Sequence, residues 1–84
     1  MDIGVELSLY PLTEEFIPPI AGFIERLNAH PGLKVVTNSM STQVFGEYTR
    51  VFEVLAVECR RSFEETGKSI FIMKLLGPLG DPRA

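Results

Sequence analysis

The sequence predicts an α+β sandwich of βαββαβ order, and three observations carry that prediction. Strand-like runs open and close the chain, "VELSLY" and "KSIFIMKLL". Apolar residues recur at helical spacing in two stretches, around residues 16–27 and around residues 51–63. Between these stretches lie two short strand-like runs joined by the turn-prone Asn38 and Ser39. The order is that of the split βαβ, or ferredoxin-like, arrangement: a four-stranded antiparallel sheet in the order 4-1-3-2 with both helices on one face.

In the first strand Val5, Leu7 and Leu9 share one face and Glu6, Ser8 and Tyr10 the other, because successive side chains alternate. Pro11 ends it. The first helix places Phe16, Ile20, Phe23, Ile24 and Leu27 on one stripe, with Thr13 as its N-cap and Glu14 and Glu15 near the positive helix end. Pro18 and Pro19 would break backbone bonds in a helix interior, so the main helix begins near Pro18, and His30, Pro31 and Gly32 end it. A hairpin follows, with strands Leu33 to Thr37 and Ser41 to Phe45.

From Gly46 a second helix collects Val51, Leu55 and Cys59, flanked by Phe52, Ala56 and Phe63, on one broad stripe. Arg50, Glu53, Arg60, Arg61 and Glu64 fall mostly elsewhere, and Gly67 is the expected C-cap. The last strand is bounded by Gly77 and Pro78, and the tail "GPLGDPRA" is expected to be loosely ordered. Ile70 and Ile72 alternate with Phe71 and Met73, so large apolar groups reach the helix-free sheet face in either orientation. Such a patch marks an interface or a ligand site.

A length of 84 residues gives one domain, residues 1–84. Such a chain buries only about 60 to 65% of its unfolded surface, which favours help from a partner. No apolar run approaches the roughly 20 residues of a membrane span. The first residues lack the charged and apolar regions of a signal peptide. Cys59 is the only cysteine, which excludes an internal disulfide and fits a reducing, cytoplasmic compartment. The net charge of -3 argues against a nucleic-acid partner and favours a neutral or cationic ligand.

The inventory for catalysis or metal binding is poor, and the chain is expected not to be an enzyme. His30, the only histidine, reads as an exposed turn residue in "NAHPG", and Cys59 as a small buried hydrophobe. One His and one Cys give no recognisable zinc site. An acylphosphatase would need a basic, glycine-containing first loop, and "PLTEEFIPP" is acidic and lacks glycine. RNA-recognition domains display basic and aromatic residues on their central strands, which "VELSLY" and "STQVFG" do not.

What remains is the open sheet face. Glu6 either balances a ligand cation or is a solvated carboxylate, and Ser8 reads the same way. Tyr10 offers a flat apolar body with a polar tip. Thr42 and Gln43 point opposite ways, so only one can share a face with Glu6. Gly46 is read as permitting a tight turn before the second helix.

At this point "VELSLYPL", "FIPPIAGFIERL", "TNSMSTQVFGEY" and "IFIMKLL" together resemble the small thiamine-binding, YkoF-like group of ferredoxin-like domains. The resemblance runs from about Ile3 to Leu76. Its most specific parts are the strand exit Tyr10–Pro11 and a Met-x-Thr-x-x-x-Gly-Glu pattern, here Met40, Thr42, Gly46 and Glu47; Lys74 also fits the last strand. Phe45 departs from a position that is often acidic in the group. The resemblance implies a non-enzymatic domain, without cofactor, that binds thiamine or its hydroxymethylpyrimidine half and assembles as dimers or tetramers through its sheets. Thiamine carries a cationic thiazolium and an aminopyrimidine, which call for an acid, hydrogen-bonding groups and apolar walls. Glu6, Ser8 and Tyr10, with Thr42 and Asn38, are accordingly expected to line a site on the sheet face near a subunit boundary. Two other readings share the fold: an assembly module without a small ligand, and an ACT-like amino-acid sensor.

Overall fold

Six elements follow one another in the computed structural model, which describes residues 1–80. They are β1 (Asp2–Pro11), α1 (Ile17–Asn28), β2 (Lys34–Thr37), β3 (Thr42–Glu47), α2 (Tyr48–Thr66) and β4 (Ser69–Leu76). The strands form one antiparallel sheet in the order β2-β3-β1-β4, which is the predicted order read from the other edge. The expected loose tail lies partly outside the described residues. Within them, the Leu79 N–H donates to the Asp2 carbonyl at 2.8 Å and ties the chain after β4 back to the start of β1.

Alternation in β1 sends Ile3, Val5 and Leu7 beneath the helices, where they meet Phe23 and Leu27 of α1, Val44 of β3, and Val51, Val54 and Leu55 of α2. All nine are buried, and each large one contributes about 1.5–3 kcal/mol by leaving water. Phe71 of β4 packs on this core, tilted against Phe23 and edge-on to Phe63, with ring centroids 5.1 and 5.4 Å apart.

The helix ends depart from expectation in one place. Phe16, not Thr13, occupies the N-cap of α1, and no side chain caps it. Pro18 and Pro19 supply the physical reason: prolines in the first turn remove N–H groups that would otherwise need a capping acceptor. The start of α2 is capped twice. Glu47 Oε2 accepts from the Arg50 N–H at 3.0 Å, and the Met1 carbonyl accepts from the Tyr48 N–H at 2.9 Å. The bond from the Arg50 amide, followed by that from Thr49, holds the Glu47 carboxyl below its ordinary pKa. Gly67 ends α2 at φ 89°, as expected of a C-cap glycine.

Gly46 is not a turn residue. It lies inside β3 opposite Ile3, and an added Cβ would sit 2.7 Å from Leu33 Cδ2 and 3.4 Å from Val51 Cγ2. Close packing, not backbone conformation, requires glycine there.

His30 also departs from its expected place in solvent. Its side chain is only 25% exposed, and Nε2 lies 2.7 Å from Glu58 Oε2, a carboxylate buried on α2. The other Glu58 oxygen accepts from Arg26 Nε at 2.7 Å, and Arg26 Nη2 donates to Ser62 Oγ at 2.7 Å. The two helices are thus joined by a satisfied polar cluster beside an apolar core. Burial alone would raise the Glu58 carboxyl, but the bonds from His30 and Arg26 and their charges outweigh it and hold the pKa below its ordinary value.

Candidate functional site

Strand register decides which residues share the helix-free face. Glu6 lies between Gln43 of β3 and Lys74 of β4, and Gly4 between Phe45 and Leu76. Ser8 pairs with Ile72 and Tyr10 with Ile70. Thr42 pairs with Leu7 and therefore turns to the helix side, where it is buried and its Oγ1 lies 3.3 Å from Thr37 Oγ1. Gln43, not Thr42, accompanies Glu6. This corrects the expectation that Thr42 would share the sheet face with Glu6.

The pairing of β1 with β3 stops at Leu7 and Thr42, whereas its pairing with β4 runs on to Pro11. The overhanging end of β1 leaves a notch on one side, into which the hairpin loop and the first turns of α1 converge. The notch is a cleft of about 310 Å³. Its polar rim includes Ser8, Tyr10, Thr37, Asn38 and Thr42, and its apolar wall includes Leu9, Ile20, Phe23 and Ile24. The sequence does not single out these lining residues: the helical spacing of Ile20, Phe23 and Ile24 reads as core, and Thr37 reads as an ordinary strand residue before the turn.

The hairpin loop is held by Asn38, whose Oδ1 accepts from the Met40 N–H at 2.8 Å and the Ser41 N–H at 3.1 Å. Such a turn is a standard use of asparagine. It directs Ser41 Oγ to Glu6 Oε2 at 3.1 Å. Glu6 sits in an adjoining hollow of about 240 Å³ bordered by Ser8, Met40, Ser41, Ile72 and Lys74. Lys74 Nζ is 3.8 Å from Glu6 Oε1, with both side chains substantially exposed. A pair of that kind is worth about 0–1 kcal/mol, so another cation could displace the lysine at little cost.

Four of the five expected residues, Ser8, Tyr10, Asn38 and Thr42, therefore border one cleft, and Glu6 borders the hollow beside it. Ser8, Met40 and Ser41 are common to both. A third depression of about 430 Å³ lies farther along the open face, around Gly4, Gln43, Phe45 and Leu76. Phe45 lies against Gly4, whose missing side chain makes room for the ring. Among the described residues no group of three or more His, Cys, Asp or Glu could hold a metal ion. Nor is any described helix long and apolar enough to cross a membrane.

Comparison with known proteins agrees with this architecture. A sequence model described as the YKOF-related Family matches residues 2–76. A Thermotoga maritima protein, provisionally described as a thiamine biosynthesis/salvage protein, superposes with a TM-score of 0.84 at 17% identity, covering 95% of this chain and 87% of its own. A Streptococcus pneumoniae protein gives a TM-score of 0.85 at 19% identity, covering 99% and 94% respectively. A Bacillus cereus domain of unknown function gives 0.78 at 16% identity, covering 95% and 79%. No curated protein matches the sequence significantly.

Proposed function

Because this chain belongs to the YKOF-related family, we propose that it is a non-enzymatic small-molecule binding protein whose ligand is thiamine or its hydroxymethylpyrimidine half. The observation that carries the reading is the joined pair of cavities: an apolar-walled cleft with hydroxyl and amide groups on its rim, opening beside a carboxylate. The description of the Thermotoga maritima neighbour as a thiamine biosynthesis/salvage protein supports the same ligand class. The cleft volume stands at the lower end of the ~300–1,000 Å³ typical of ligand pockets, a size that suits one heterocycle. In this reading the aminopyrimidine enters the cleft against Ile20, Phe23 and Ile24 and bonds to the Thr37, Asn38 and Thr42 side chains. The thiazolium lies over the Glu6 hollow, taking the place of Lys74 against the carboxylate, with Tyr10 at the rim.

The protein acts as a cytoplasmic homo-oligomer, dimer or tetramer, joined through its sheets. The exposed Tyr10, Ile70, Ile72 and Leu76 support an assembly that uses this side of the molecule. The same residues favour the second reading, an assembly module without a small ligand.

Calorimetric titration of the purified chain with thiamine, thiamine monophosphate and hydroxymethylpyrimidine separates the two. Saturable binding near one ligand per chain or per pair of chains is expected, with Glu6→Ala and Tyr10→Ala each weakening it at least about tenfold, or ~1.4 kcal/mol. No heat with any of the three compounds would favour the assembly module. Unchanged affinity in both folded variants would remove these residues from the site.

A further inference from the structure

Charge at the candidate site is confined to one pair. No charged side chain lines the cleft, and the adjoining hollow is bordered by two, Glu6 and Lys74. They oppose one another across β1 and β4 on the open face, with Gln43 of β3 completing the row. The rows on either side carry no charge on β1 or β4: Ser8 and Ile72 in one, Gly4 and Leu76 in the other.

The two members of the pair are not held alike. Glu6 Oε2 accepts from Ser41 Oγ at 3.1 Å, so the hairpin loop fixes the carboxylate. The Lys74 ammonium lies 3.8 Å from Oε1, beyond hydrogen-bond distance, and its side chain is 81% exposed against 44% for Glu6. An ammonium on a flexible four-carbon stem costs little to move at such a place. The carboxylate is therefore the fixed member and the lysine the mobile one, tethered so that it can leave Glu6 without leaving the hollow.

We propose that the site takes its ligand in phosphorylated form, thiamine monophosphate in preference to thiamine, with the thiazolium replacing the Lys74 ammonium at Glu6 and the released ammonium pairing with the phosphate. This rests on the thiamine reading above and deepens it. The preference follows from charge balance. Without ligand, the hollow holds Glu6 as its anion and Lys74 as its cation. Thiamine brings a second cation, exchanges one ion pair for another and leaves Lys74 without a partner. The monophosphate brings a cation and an anion together, so one pair becomes two, the new one a charge-assisted bond from ammonium to phosphate. The two-carbon arm that carries the phosphate sets it a few Å from the ring cation, the scale of the ~4.8 Å between neighbouring strands. The Ser8 hydroxyl borders the same hollow as a second donor.

Calorimetric titration of the full chain at low ionic strength with thiamine and with thiamine monophosphate reads the ratio of the two affinities. The monophosphate is expected to bind at least about threefold tighter, the scale of one exposed ion pair. In Lys74→Met, with far-UV circular dichroism kept, the ratio is expected to fall to about one or below, through weaker binding of the monophosphate and tighter binding of thiamine. Lys74→Arg is expected to keep the preference. Salt at about 0.5 M should narrow the ratio in the unaltered chain. Thiamine bound as tightly as its monophosphate by the unaltered chain, or a ratio unchanged in folded Lys74→Met, would overturn the phosphate preference and leave the thiamine reading standing. Binding of neither compound would remove both, so the two failures are distinguishable.

Discussion

Arg26 Nε meets Glu58 Oε1 at 2.7 Å between the two helices, and the carboxylate it meets is buried. Removing the guanidinium in Arg26→Ala leaves Glu58 with His30 alone and Ser62 Oγ without its donor. Breaking one side of a buried ion pair costs about 3–5 kcal/mol. A loss at the lower end of that range is expected, since His30 remains, and denaturant unfolding monitored by circular dichroism measures it. Unchanged stability would mean that water replaces the guanidinium without penalty.

The same cluster sets an acid limit. The Glu58 carboxyl is depressed in the folded chain, so below neutral pH the unfolded chain takes up its proton first. Its stabilising contribution is therefore full above the ordinary carboxyl pKa and is lost as pH falls through the lower folded value. Unfolding free energy should fall progressively from about pH 5 downward. In Glu58→Gln, less stable at neutral pH, the slope should be shallower. An equal slope in both proteins would assign the acid sensitivity to other carboxylates.

Cys59 packs against the core, and burial first, then the Glu58 charge, pushes its thiol up to about 11. The thiolate is the reactive form, so near neutral pH the native thiol should react with a disulfide reagent far more slowly than the denatured chain. Reaction followed by absorbance with and without denaturant checks this. Equal rates would indicate ready local opening of α2.

Two glycines separate steric from conformational demand. In Gly67→Ala the new side chain meets open space, yet φ 89° and ψ −151° lie in a region reserved almost wholly for glycine, at a cost of about 1–3 kcal/mol. In Gly46→Ala the backbone is ordinary but the Leu33 side chain must shift, while Val51 comes into ordinary contact, for a similar loss of about 1–3 kcal/mol. Shortening Leu33 to Ala should partly rescue Gly46→Ala and leave Gly67→Ala unaffected, as a double-mutant cycle on thermal unfolding would show.

These positions also mark how far the sequence could be read. The polar row Glu6, Ser8 and Tyr10 opposite Val5, Leu7 and Leu9 was legible because one face of β1 is covered, which makes the two-residue period unambiguous. The facing of β3 was not: Thr42 and Gln43 are both polar, and Val44 and Phe45 both apolar, so either parity fits until β1 pairs with it. The union of His30 with Glu58 joins residues 28 apart, and no local pattern announces it. Thr13 was a sound local cap signal that two prolines in the first turn made unnecessary.

The parity of β3 gives the sharpest test of where a ligand sits. Thr42 borders the cleft from the helix side, whereas Gln43 shares the open face with Glu6 and borders the depression beside Phe45. A heterocycle in the cleft that bonds to Thr42 should be weakened by Thr42→Val, which keeps the shape and removes the hydroxyl. The expected loss is about 1–3 kcal/mol, because a polar group of the ligand would be left unpaired in a buried place. Gln43→Ala should leave affinity within about twofold, a few tenths of a kcal/mol. Titration of both variants with hydroxymethylpyrimidine, which lacks the thiazolium, isolates the cleft from the Glu6 hollow. The reverse pattern, with Gln43→Ala weak and Thr42→Val unaffected, would move the ligand to the open face between Glu6 and Phe45 and make Lys74 its neighbour.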